Sequence, residues 1–216
     1  MSRGLVLLGL LQLAAAQTLG KSPEVHPRLR TWKCTHREGC VPQTSQIVLD
    51  ELAHPIHQLN DPSLGCGNWG SAPNVTVCPN EETCYENCVV EGISDYADYG
   101  VYTRDDSMSL HQLNKAGVDV TPRVYLLDED GREYDMLKLT GNELSFDVDV
   151  SKLPCGMNGA LYLTEMRETG GRSHLNPGGA AYGSGYCDAQ CYTYPFIEGV
   201  VSIVLFKCSV STLISY

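Results

Sequence analysis

Cysteine has the most chemistry to offer in this sequence: ten stand at positions 34, 40, 66, 78, 84, 88, 155, 187, 191 and 208. A thiolate can attack a substrate, ligate zinc or pair with a second cysteine, and the compartment decides which. The first seventeen residues bear on the compartment. Arg3 precedes an apolar run from Leu5 to Leu13, and the small residues Ala14, Ala15 and Ala16 stand ahead of Gln17. This layout is that of a secretory signal peptide, residues 1–16, cleaved after Ala16. The run is well short of the about 20 apolar residues that a spanning helix needs. A secreted, extracellular chain is therefore expected, and outside the cell cysteines are normally paired. Cys34 and Cys40 can close a short loop, and Cys66, Cys78, Cys84 and Cys88 form a cluster able to pair internally. Neither Cys84-x-x-x-Cys88 nor Cys187-x-x-x-Cys191 has zinc-knuckle spacing, so no metal is expected. His54 and His57 flank Pro55, which argues against a helix presenting both, and they read as ordinary loop histidines.

Two further groups carry possible chemistry. Asn74-Val75-Thr76 is an acceptor sequence for N-glycosylation inside the cysteine-rich stretch. Asp147 and Asp149 fall on one face of an alternating segment, but alternating acids on an outward face are usually solvated, and no catalytic role is assigned to them. The charge balance excludes some partners. With 26 Asp+Glu against 15 Lys+Arg the formal net charge is −11, a field that repels nucleic acid and anionic membrane surfaces.

The elements that must position these groups read as strands. Residues 123–128 and 134–139 flank Asp130-Gly131 as a hairpin. From Glu143 to Val150 the sequence alternates, with Leu144, Phe146, Val148 and Val150 on one face and Glu143, Ser145, Asp147 and Asp149 on the other. That pattern predicts a strand with one face buried. Residues 159–165 read as a further strand after the Pro154-Cys155-Gly156 turn. Helix signals are scarce. At 216 residues, with neither tandem repeats nor a Pro/Ser-rich linker, the expectation is one all-β domain, an antiparallel sandwich.

Three segments together have a more specific look: Thr31-Trp-Lys-Cys-Thr35, the run from Leu139 through Gly141-Asn-Glu-Leu-Ser-Phe-Asp-Val-Asp149 to Tyr162, and Ala181-Tyr-Gly-Ser-Gly-Tyr-Cys-Asp-Ala-Gln-Cys191. Over residues 17–199 the chain resembles the fungal endoglucanases and cellobiohydrolases of glycoside hydrolase family 7. The resemblance implies an all-β, concanavalin A-like antiparallel β-jelly-roll sandwich, here incomplete, with loops over a cleft. It implies retaining hydrolysis of β-1,4-glucan, such as cellulose, by a monomer that needs no metal or cofactor. Position by position, it implies that Arg123 reaches sugar hydroxyls, that Asn158 and Tyr162 line the cleft, and that Tyr186, Asp188 and Gln190 cluster beside the catalytic strand. It also implies that Cys155, Cys187 and Cys191 pair with cysteines in the later part of the enzyme.

Two departures from the family pattern carry expectations of their own. The tryptophans that grip glucan in processive members are replaced after Asp50 by Glu51-Leu-Ala-His-Pro-Ile-His57, which favours the open-cleft endoglucanase branch. The family draws its two catalytic carboxylates from a Glu-x-Asp-x-x-Glu motif beyond the second Cys of the Cys-Asp-x-Gln-Cys run, and here the only acid after Cys191 is Glu198. No catalytic residue is assigned, and the chain as written is expected not to cut glucan, leaving a non-catalytic glucan-binding protein as the alternative. Residues 200–216 contain no Asp, Glu, Gly, Pro, Asn or Gln and are expected to be an aberrant tail read from an unspliced intron.

Overall fold

The computed structural model describes residues 18–67 and 74–186, together with the backbone of three short strands beyond them. In chain order the elements are β1 (Thr18–Leu19), β2 (Arg28–Thr35), β3 (Gly39–Leu49), β4 (Ile56–Gln58), α1 (Glu81–Asn87), β5 (Cys88–Val90), β6 (Val101–Arg104), β7 (Ser107–Leu110), β8 (Val124–Leu127) and β9 (Tyr162–Leu163), followed by β10 (Phe196–Ile197), β11 (Val200–Val201) and β12 (Thr212–Leu213). Short 3-10 turns cover Glu51–Ala53, Tyr96–Tyr99 and Gly179–Tyr182. Strands dominate and the ladders are antiparallel except β1 on β5, as an all-β sandwich requires.

The long hairpin β2–β3 is the backbone of the structure. It closes tightly where Cys34 lies opposite Cys40, and the two are joined by a disulfide. On its other edge β3 pairs with β8, from Gln46 against Leu127 to Leu49 against Val124. The inner half of β3 is buried on both faces, and the period-2 alternation of a strand separates its side chains into two cores. Ile47 and Leu49 pack with Ile93, Tyr96 and Val101. Val48 points the other way, into Leu127, Tyr134 and Ala180. A third cluster is sulfur-rich. Disulfide Cys66–Cys88 ties β5, and Cys78–Cys84 ties α1, to the loop between β4 and α1, with all four cysteines buried.

Several expected elements take a different form. Residues 124–127 form β8 as expected, but the return limb is not a strand and is held by the Leu127–Tyr134 bridge, the Asp128 N–H donating to the Glu133 carbonyl and the Asp135 N–H donating to the Leu126 carbonyl. The segment 143–150 is not a strand. Its apolar row is exposed along with its acids, Phe146 at 45% and Val148 at 69%. Alternation creates a face fit for burial, but a ladder needs a hydrogen-bonding neighbour and a covering layer, and among the described residues this segment has neither. Of residues 159–165 only Tyr162 and Leu163 are extended, pairing with Thr212 and Leu213. Helix α1 was not expected. Its start is ordered by Asn80, whose side chain caps the Thr83 N–H, and by Glu81 and Glu82 in the first turn.

Candidate functional site

Strand β3 delivers Asp50 to the edge of the core. The Asp50 N–H donates to the Arg123 carbonyl at 2.9 Å, extending the β3–β8 ladder by one step. Its Oδ1 accepts the Leu52 N–H and starts the 3-10 turn. Its Oδ2 accepts from Arg123 Nε at 3.0 Å, Arg123 Nη2 at 2.9 Å and the Tyr125 hydroxyl at 2.5 Å. One buried carboxylate oxygen thus orients both an arginine and a tyrosine of the neighbouring strand.

Aromatic rings complete the arrangement. The Arg123 guanidinium lies 4.1 Å from the centre of the Tyr186 ring, a cation–π contact. Tyr125 stands edge-on to Tyr134 at 5.6 Å and tilted against Tyr186 at 5.9 Å. The Tyr134 hydroxyl donates to the Ser184 carbonyl at 2.7 Å, anchoring the loop that carries Tyr186. Gly183 adopts φ +68°, and a Cβ there would sit 1.9 Å from the Leu49 carbonyl oxygen, so only glycine lets this loop lie against β3. Asp50, Glu51, Leu52, Arg123, Gly183, Gly185 and Tyr186 line a small open cleft.

The electrostatics fix the protonation states. Burial disfavours the Arg123 charge, but the Asp50 carboxylate more than offsets this and holds the guanidinium protonated. Burial, and then the Asp50 charge, push the Tyr125 hydroxyl far above its ordinary range, so it remains an O–H donor. A cation over an aromatic face, with further donors beside it, suits the hydroxyls and apolar ring faces of a neutral sugar.

The site residues expected from the sequence fare differently. Arg123 and Tyr186 come together. Asn158 and Tyr162 are exposed, Tyr162 at 41%, and neither lines this cleft. Asp188 and Gln190 lie outside the described residues, as do Cys187, Cys191 and Cys208. Asn74 is exposed in a turn where its side-chain oxygen accepts the Thr76 N–H. The only grouping of metal-type donors among the described residues, Cys78, Cys84 and Cys88, is committed to disulfides.

The histidines require a correction. His54 is 4% exposed and hydrogen-bonded through both ring nitrogens, to the Asp50 carbonyl and to Glu24. His57 lies in β4 and pairs with Glu91 at 3.1 Å. Both are held in place because each faces a carboxylate that sequence distance concealed. Asp50 and Tyr125 went unassigned for the same reason. The one available signal was an acid directly after the apolar run Ile47-Val48-Leu49.

Comparison with known proteins sets this geometry in context. The family model for glycosyl hydrolase family 7 matches residues 19–212. A probable endo-beta-1,4-glucanase celB of Aspergillus terreus is 55% identical over 199 residues, 91% of this chain and 47% of the relative. Endoglucanase EG-1 of Humicola insolens is 53% identical over 208 residues, 94% of this chain and 48% of the relative. The native structure of the Humicola insolens endocellulase EGI superposes with a TM-score of 0.84 at 53% identity, over 90% of this chain and 49% of that one. A cellobiohydrolase from Daphnia pulex is more distant, at 31% identity and a TM-score of 0.72, over 85% of this chain and 43% of that one. The chain spans about half the length of the curated relatives it matches. With jelly-roll relatives over most of its length and a family match that runs from Leu19 to Thr212, the chain belongs to glycosyl hydrolase family 7.

Proposed function

We propose that this chain carries a glucan-recognising part of a secreted, retaining endo-β-1,4-glucanase, and that as written it binds β-1,4-glucan without cutting it. The observation that carries the binding half is the Arg123 guanidinium, locked by Asp50 against the Tyr186 ring in an open cleft. A neutral polysaccharide is held by ring faces and by hydrogen bonds to its hydroxyls, and this pair supplies both. The higher identity to endoglucanases than to a cellobiohydrolase supports the endo mode. The cellobiose complex of an endoglucanase I, 50% identical with a TM-score of 0.80, supports a glucan ligand.

The second half of the proposal rests on reaction chemistry. Retention requires a nucleophilic carboxylate and an acid about 5 to 5.5 Å apart across one glycosidic bond. No Glu-x-Asp-x-x-Glu triplet occurs in the 216 residues. The secreted protein is tested on two substrates. Retention on insoluble cellulose with no release of sugar from carboxymethylcellulose supports the proposal. Turnover well above background overturns the inactivity, and absence of both retention and turnover overturns the glucan assignment.

A further inference from the structure

Glu24 lies in the segment between β1 and β2, and its side chain is 6% exposed. Its Oε2 accepts the Ile93 N–H at 2.6 Å and His54 Nε2 at 3.0 Å, and its Oε1 accepts the Tyr96 hydroxyl. His26 Nε2 stands 3.6 Å from Oε1 while donating to the Ala181 carbonyl, and the Tyr182 ring lies 5.4 Å from that of His54. Burial alone would raise the Glu24 carboxyl pKa. Hydrogen bonds from His54, Tyr96 and Ile93, with the charge on His54, outweigh it and leave the carboxyl below its ordinary range.

The two side-chain partners of Glu24 lead to the same place. The Tyr96 oxygen accepts the Leu49 N–H at 3.3 Å. His54 Nδ1 faces the Asp50 carbonyl at 3.2 Å. Residues 49 and 50 are consecutive, so two chains of hydrogen bonds leave one carboxylate and close on either side of the Leu49–Asp50 peptide. That peptide carries the side chain holding Arg123 and Tyr125. Both ring nitrogens of His54 face oxygens, so a proton must lie between Nε2 and Glu24 whichever group formally owns it.

We propose that Glu24 is a positioning residue for the glucan site: through Tyr96 and His54 it clamps the Leu49–Asp50 peptide, and the clamp fixes Asp50 and therefore Arg123 over Tyr186. The consequence for sugar affinity rests on the proposed glucan function; the clamp itself does not. A glutamine at position 24 has the same shape but replaces one acceptor oxygen with an N–H₂ group, which must face a donor at the Ile93 side or leave the Tyr96 hydroxyl proton without its acceptor. In Glu24→Gln the peptide loosens while Asp50 and Arg123 remain unaltered in sequence.

The test reads hydrogen exchange at Arg123 Nε–H by nitrogen-15 NMR, as a ratio to the backbone amides of β8 and of β3 other than Leu49, whose N–H belongs to the clamp. A merely structural role for Glu24 would move both alike and leave the ratio constant. The clamp instead makes Arg123 exchange roughly tenfold faster than the ladder in Glu24→Gln, the loss of about one charge-assisted hydrogen bond. Tyr96→Phe cuts one arm only and gives a smaller change of the same sign; it decides the matter alone should Glu24→Gln not fold. An unchanged ratio in the folded variants overturns the proposal. Cellotetraose affinity is measured in parallel and is expected to fall about three- to tenfold. If the wild-type chain binds no cellotetraose, the glucan assignment fails, while the exchange ratio still decides the clamp.

Discussion

Asp50 shows how one side chain can serve both stability and recognition. It pairs with Arg123 at the edge of the core, and removing Asp50 leaves a partly buried arginine without its counter-charge. Asp50→Ala is therefore expected to cost about 3 kcal/mol, read as a lower urea midpoint with an unchanged slope. Arg123→Lys keeps the charge but loses the planar fork and the stacking on Tyr186, and should weaken cellotetraose binding more than it weakens folding. His57 and Glu91 give a different signature, because both titrate within reach of experiment. The His57 pKa is raised, first by its hydrogen bond to the Gln58 carbonyl and then by Glu91, despite partial burial. Its stabilisation is complete below the ordinary histidine value of 6.5 and is lost as pH rises through the higher folded value. The Glu91 pKa is lowered: burial raises it, but hydrogen bonds from Ser22 and His57 more than compensate. Its contribution is present above 4.5 and is lost as pH falls through the lower folded value. The difference in urea midpoint between wild type and His57→Gln should be largest between pH 4.5 and 6.5 and shrink on either side.

At the scale of elements, two glycines with nearly the same φ should behave differently. Gly39 in the β2–β3 turn has φ +69° and open space where a Cβ would go, so Gly39→Ala should cost only about 1 kcal/mol of left-handed strain. Gly183 has φ +68° with the Leu49 carbonyl in the way, and its own carbonyl accepts the Glu51 N–H. Gly183→Ala should cost at least about 3 kcal/mol, or prevent folding, by forcing the Tyr186 loop away from β3; thermal melts of the two variants decide this. The contrast also bears on what a sequence discloses. Strand β8 was legible because Val124-Tyr-Leu-Leu127 joins β-propensity to an Asp-Gly turn, both local properties. The cysteine cluster was legible because four cysteines within 23 positions restrict their own pairing. Residues 143–150 misled because alternation describes a face and not what covers it. Helix α1 has a recognisable start in Asn80, Glu81 and Glu82, but at seven residues it is too short to carry a helical apolar period. The family resemblance points to Arg123 and Tyr186, whose side chains meet in the structure. Their anchor Asp50 was not legible, since it meets Arg123 across 73 positions and no local signal spans that distance.

For the molecule as a whole, the question is what the exposed row on residues 144–150 does in water. Leu144, Phe146, Val148 and Val150 are all exposed, and Leu153, Met157 and Leu161 extend the apolar surface along the same segment. Contiguous apolar surface of this kind drives association when nothing covers it. The chain spans about half the length of its relatives, and its described part buries β3 on both faces while leaving this segment bare. The chain of 216 residues is therefore expected to self-associate at micromolar concentration and to bind a hydrophobic dye in its folded state. The double variant Phe146→Ser and Val148→Ser should reduce both effects. It should leave the unfolding free energy, read by urea titration, within about 0.5 kcal/mol of wild type, because exposed side chains contribute little to folding. Cys155 lies in the same exposed segment as a free thiol, and it should react with a maleimide without denaturant unless association covers it. Its labelling rate should then rise on dilution and in the double variant. A rate independent of both would place the self-association surface elsewhere on the molecule.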